Sequence, residues 1–153
     1  MNTRSRRAIV LATLTVLALV SATWASTVYG KAKPHQSRAK PHQARVIVTE
    51  SEWRITLSRS SVSAGPVTFV IRDHGKLAHE LIILRTQRPA DKLPMRGKEV
   101  DLKAAGSVVG KIVTVEPGKE ASVTVRLEKG RYVLLCNLPA HYKQGQFAAF
   151  DVT

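Results

Sequence analysis

Residues 116–136 read Glu116-Pro117-Gly118-Lys119-Glu120-Ala121-Ser122-Val123-Thr124-Val125-Arg126-Leu127-Glu128-Lys129-Gly130-Arg131-Tyr132-Val133-Leu134-Leu135-Cys136. Pro117-Gly118 is turn chemistry, and beyond it Val123, Val125 and Leu127 alternate with Thr124 and Arg126. A period of two is the mark of a strand with one face on a core. Lys129-Gly130 turns the chain again, and Tyr132 to Cys136 forms a second, almost wholly apolar strand. Neither segment has helical spacing.

The same pattern extends in both directions. Downstream, Phe147 to Val152 is a further strand. Upstream, Val108 to Val115 is rich in β-formers, and His79 to Thr86 is a continuous apolar run with a charged start. Val67, Phe69 and Ile71 alternate with Thr68 and Arg72 after a turn expected at Gly65-Pro66. Trp53, Ile55 and Leu57 face one way, with Glu52, Arg54, Thr56 and Ser58 facing the other. Pro89 to Gly106 has no strand pattern and is expected to be a long connection with a helical turn. Seven to eight short strands separated by turn signals predict an all-β sandwich. Trp53, Phe69, Tyr132 and Phe147 are expected in its core.

The 153-residue chain carries 24 basic and 11 acidic residues, a formal charge of +13, and 44% of it is hydrophobic, too much for a disordered chain. Its start is not part of the sandwich. Arg4, Arg6 and Arg7 precede an apolar run from Ala8 to Val20 and the small residues Ser21, Ala22, Thr23, Ala25 and Ser26, the grammar of a secretory signal. We read 1–25 as a signal peptide or, uncleaved, a signal anchor that would tether the domain to a membrane. Ser5-Arg6-Arg7 hints at twin-arginine export. Residues 26–45 form a basic linker containing a tandem heptad, Ala32-Lys33-Pro34-His35-Gln36-Ser37-Arg38 and Ala39-Lys40-Pro41-His42-Gln43-Ala44-Arg45. Pro34 and Pro41 oppose a helix there, and His35 and His42 in a solvated segment make no preformed metal site. The folded domain is expected over 46–153, outside the cytoplasm.

That domain holds 16 basic and all 11 acidic residues, net +5. The charges are scattered, without the basic stripe interleaved with aromatics that nucleic acid requires. A moderately basic surface suits an acidic protein partner. Cys136 is the single cysteine, which excludes an intramolecular disulfide, a tetrathiolate zinc site and a four-cysteine iron–sulfur site. It also excludes a binuclear copper centre with two bridging thiolates.

The chemistry concentrates in Cys136-Asn137-Leu138-Pro139-Ala140-His141-Tyr142-Lys143-Gln144-Gly145-Gln146. A thiol in an exported protein is open to oxidation unless buried or ligated. Cys136 ends one strand, His141 lies in the loop and Gln146 begins the next strand, so a tight loop can bring all three around one point. Gln146 shares its strand face with Ala148, Phe150 and Val152, which aims an amide at an apolar interior, at a cost unless something binds it. His79 shares parity with Leu81 and Ile83 and is the second imidazole, with His74 on the preceding turn as its rival. Two imidazoles, a thiolate and a weak axial donor are the ligand set of a blue copper electron-transfer site. Soft thiolate stabilises Cu(I), imidazole serves both oxidation states, and fixed geometry limits rearrangement between them.

At these residues the chain resembles the cupredoxins, small blue copper proteins of the plastocyanin, azurin and sulfocyanin type. Three pieces carry the resemblance: the segment Val67 to Gly75 followed by Ala78-His79-Glu80-Leu81, the Cys136-x4-His141-x4-Gln146 run, and Leu138-Pro139-Ala140 beside the late histidine. The resemblance implies a Greek-key sandwich with one type 1 copper held by His79, Cys136, His141 and Gln146. Cupredoxins commonly have methionine where Gln146 stands, and Met95, in the irregular segment, is poorly placed to substitute. Glutamine there is similar to the stellacyanin type and should lower the reduction potential. Asp73 stands where asparagine is often found.

The implied function is one-electron shuttling between redox partners, not catalysis. A cytochrome with an acidic docking surface is the expected partner, the domain acting as a monomer. It would approach an apolar patch of Leu77, Leu138, Pro139 and Ala140 around His141, rimmed by Lys76 and Lys143. Three alternatives compete: a copper carrier that delivers its ion, a metal-free interaction domain, and a cysteine hydrolase using Cys136 and His141, for which no oxyanion-hole motif is evident.

Overall fold

The computed structural model describes residues 43–153; the signal segment, and the linker up to residue 42, lie outside the described residues. Eleven strands run through the described residues. In chain order they are β1 (Ala44–Ser51), β2 (Arg54–Leu57), β3 (Ser61–Val62), β4 (Gly65–Asp73), β5 (His79–Arg85), β6 (Met95–Arg96), β7 (Glu99–Val100), β8 (Ser107–Val115), β9 (Glu120–Leu127), β10 (Gly130–Leu135) and β11 (Phe147–Val152). A single helical turn, α1 (Leu102–Ala105), precedes β8, and a 3-10 turn (Tyr142–Gln144) precedes β11.

Nine of the strands build two facing sheets, ordered β2-β1-β4-β9 and β3-β11-β10-β5-β8, and β6-β7 is a separate ribbon. The chain crosses from one sheet to the other between β2 and β3, β3 and β4, β4 and β5, β8 and β9, and β9 and β10. Alternation in the sequence becomes alternation in burial. Val46 and Val48 on β1, Val67, Phe69 and Ile71 on β4, and Leu134 and Phe150 from the other sheet form one apolar core. Burial of each such side chain contributes roughly 1.5–3 kcal/mol.

The continuous apolar run of β5 has a direct explanation. Leu81 and Ile83 face the sandwich interior, whereas Ile82 and Leu84 face outward beneath Leu93, Val100, Ala105 and Tyr142. The connection before β8 therefore covers the outer face of β5, and it contains a two-residue-strand ribbon as well as the expected helical turn. Two further expectations are corrected. Gly65-Pro66 is not a turn but the start of β4, a strand position that proline tolerates. Trp53 is not core: it is 38% exposed, because it follows the end of β1 and stands against His141.

Candidate metal centre

The hairpin between β10 and β11 closes on its own backbone. The Cys136 N–H donates to the Gln146 carbonyl at 3.1 Å, and the Gln146 N–H donates to the His141 carbonyl at 3.2 Å. His141 caps the 3-10 turn, which ends at Gly145 with φ of 111°. Two side chains lash this loop to the β5-to-β8 connection. Asn137 Oδ1 accepts from the Val100 N–H at 2.7 Å, and the Tyr142 hydroxyl accepts from the Leu93 N–H at 2.9 Å while donating to the Ala90 carbonyl at 2.8 Å. The Ala140 N–H adds a bond to the Lys98 carbonyl at 2.8 Å.

The loop brings Cys136, His141 and Gln146 together with His79 from β5. The Cys136 Sγ lies 3.3 Å from His141 Nδ1 and accepts from the Glu80 N–H at 3.5 Å. The His79 and His141 rings stand 5.4 Å apart. His79, Cys136 and Gln146 are fully buried, and His141 is 8% exposed. His74 is exposed on the turn, which leaves His79 as the interior imidazole. Met95 is on β6 at the surface, 39% exposed.

Sheet β2-β1-β4-β9 contributes buried carboxylates. In parallel register, Glu50 on β1 stands beside Asp73 on β4, and both are fully buried. Asp73 Oδ1 accepts from the Gly75 N–H at 2.8 Å and lies 3.1 Å from His79 Nδ1. That second approach lacks hydrogen-bond alignment, since neither His79 nitrogen has a partner. Gln146 Nε2 donates to Glu50 Oε2 at 2.8 Å. The turn ahead of His79 is pinned by Glu52, whose carboxylate accepts from the Leu77 N–H at 2.7 Å and from that of Lys76. Glu52's own backbone N–H, with those two, holds its carboxyl below the usual range. Glu50 was not singled out from sequence. The signal was nevertheless there: Val46, Val48 and Glu50 share parity on β1, which places a carboxylate on the buried face.

Burial dominates the electrostatics. It pushes the Cys136 thiol up to about 12, against two backbone N–H groups that favour the thiolate. It raises Glu50 to about 8, opposed by the bond from Gln146. It lowers His141, reinforced by the neighbouring His79, while the Gln146 side chain acts in the opposite direction. A thiolate here needs a cation to replace lost hydration, which is the role of a metal.

The donor set fits a soft, low-coordinate ion. Buried polar atoms are normally paired, yet both His79 nitrogens and Gln146 Oε1 have no partner. Among the described residues no three His, Cys, Asp or Glu side chains converge closely enough to hold an ion as they stand. The donors are gathered without being closed on one point.

No family model matches the chain, and no curated protein does. Solved structures do. It is similar to reduced auracyanin from Roseiflexus castenholzii, at 16% identity and a TM-score of 0.53 over 72% of this chain and 98% of that one. It is similar to auracyanin A of Chloroflexus aurantiacus, described as a "blue" copper protein, at 16% identity and 0.52 over 72% and 99%. Rusticyanin from Thiobacillus ferrooxidans matches at 14% identity and 0.58 over 74% and 79%. The fold is thus the all-β sandwich of the cupredoxins.

Proposed function

We propose that this chain is an exported mononuclear copper protein that carries single electrons between redox partners and is not itself an enzyme. The observation that carries the reading is the set of buried, unpartnered donors, both nitrogens of His79 and Oε1 of Gln146, beside the Cys136–His141 contact at 3.3 Å. A copper ion there would supply a reversible one-electron couple. His79, Cys136 and His141 would hold it, with Gln146 Oε1 as the weak fourth donor. The chain's own part is to exclude water, through full burial of three of the four donors, and to hold them on a braced hairpin. A soft thiolate and a hard amide oxygen in one set suit both oxidation states.

The side of His141 is the proposed exit for the electron. Trp53 packs edge-on against its ring at 5.0 Å, and Leu77, whose N–H is held by Glu52 next to Trp53, is 48% exposed. With Leu138, Pro139 and Ala140 these residues form an apolar approach surface, with Lys76 and Lys143 exposed at its rim. An acidic redox protein, such as a cytochrome, is the partner this surface suits. Export rests on the signal-like residues 1–25, and periplasmic residence would follow. The mass of the mature protein reports whether the segment is removed or kept as a tether.

The test is the visible spectrum of the copper-loaded protein. An intense thiolate-to-copper band at one copper per chain is expected, and Cys136→Ser should abolish it while leaving the sandwich folded. A protein that takes up no copper, or keeps its colour in that variant, overturns the assignment.

A further inference from the structure

We infer that Glu50 is a positioning residue for Gln146: its carboxylate holds the amide by Nε2, so that Oε1, and not the NH2 group, is the atom presented as a donor. The inference rests on the copper reading above. The two ends of a carboxamide have nearly the same shape, so packing alone cannot choose between them; only hydrogen-bond partners can. Here the choice has chemical consequences, because the oxygen end can donate to a metal and the NH2 end cannot.

Glu50 makes that choice. Its Oε2 lies 2.8 Å from Gln146 Nε2, across 96 positions of sequence and from the opposite sheet. Oε2 accepts from Nε2, so the NH2 end faces Glu50 and Oε1 points the other way, where it has no protein partner. Packing does not explain the residue. Val46 and Val48 fill the same face of β1 with apolar side chains, and Glu50 continues that face as a fully buried acid. It forms no ion pair among the described residues. A buried acid group is costly unless hydrogen-bonded, and apolar replacement of buried ionisable groups is often neutral or favourable. Holding the amide is the one contact through which Glu50 can offset that cost.

Two neutral substitutions isolate the role. Glu50→Gln keeps an acceptor for the amide and Glu50→Leu removes it, so the difference between them contains no effect of the lost charge. In the metal-free protein, hydrogen exchange at the Gln146 side-chain NH2 should stay slow in Glu50→Gln and speed up about tenfold or more in Glu50→Leu. After one equivalent of Cu(II), the Glu50→Gln spectrum should match the parent. The Glu50→Leu spectrum should show altered relative band intensities and copper hyperfine splitting. In a Gln146→Met background the two Glu50 variants should become indistinguishable. Equal exchange and equal spectra with Gln146 present would overturn the inference, as would a difference that persists in the Gln146→Met background. If Glu50→Leu fails to fold, Glu50→Thr, which shortens the side chain out of reach, takes its place in the same comparison. A parent protein that binds no copper refutes the copper reading instead, and leaves the metal-free exchange result to decide the amide's orientation.

Discussion

Gly75 shows how little room the early histidine has. A Cβ built there would stand 2.7 Å from His79 Cε1, 2.8 Å from Glu52 Oε1 and 3.1 Å from Asp73 Oδ1. The constraint is space, not backbone conformation. Gly75→Ala should therefore displace the His79 ring or the Glu52 anchor, destabilising the fold by about 1–3 kcal/mol and weakening copper binding. A denaturant midpoint and a copper titration measure the two effects, and unchanged values in both would mean the turn yields freely. At the axial position, Gln146→Met should raise the reduction potential, since a thioether favours Cu(I) more than an amide oxygen does. Direct electrochemistry reads the sign; an unchanged or lower potential would remove Gln146 from the ligand set.

At the scale of elements, the closing hairpin depends on what it leans against. Tyr142 ties it to both Leu93 and Ala90 through one hydroxyl. Tyr142→Phe would leave a buried N–H and a carbonyl unpaired, at about 1–3 kcal/mol. Urea unfolding should show a lower midpoint at unchanged slope, whereas a parent-like midpoint would place water at both groups. Strand periodicity made β4, β9 and β11 legible, and a continuous apolar run made β5 legible, because both are local properties of the chain. The two-residue strands β3, β6 and β7 were not legible, since two residues carry no period and pair only through distant partners. For the same reason His79, Cys136, His141 and Gln146 could be gathered from spacing and parity, while Glu50 could not. Its role comes from a bond across the sandwich, and parity alone could only place it on the buried face. Trp53 misled because an aromatic beside an alternating run reads as core, while β2 begins only at Arg54, one residue after it.

For the molecule as a whole, charge bears on encounter more than on the site. The domain from Val46 onward carries net +5, and exposed Lys143 lies in the loop that holds His141. Lys143→Glu should slow bimolecular electron transfer with an acidic partner at low ionic strength, with added salt shrinking the difference by screening. Stopped-flow rates independent of both the substitution and the salt would put the docking face elsewhere. A different consequence follows from Cys136 being the single thiol of the chain and fully enclosed. A thiol reagent cannot reach it until the hairpin parts from β5, so in the metal-free protein its labelling rate is a clock for that opening. Where reclosing outpaces modification, the clock reads the free energy of opening; with abundant reagent it reads the opening rate itself. The molecule thus carries an internal chronometer at the one place where its proposed function requires stillness.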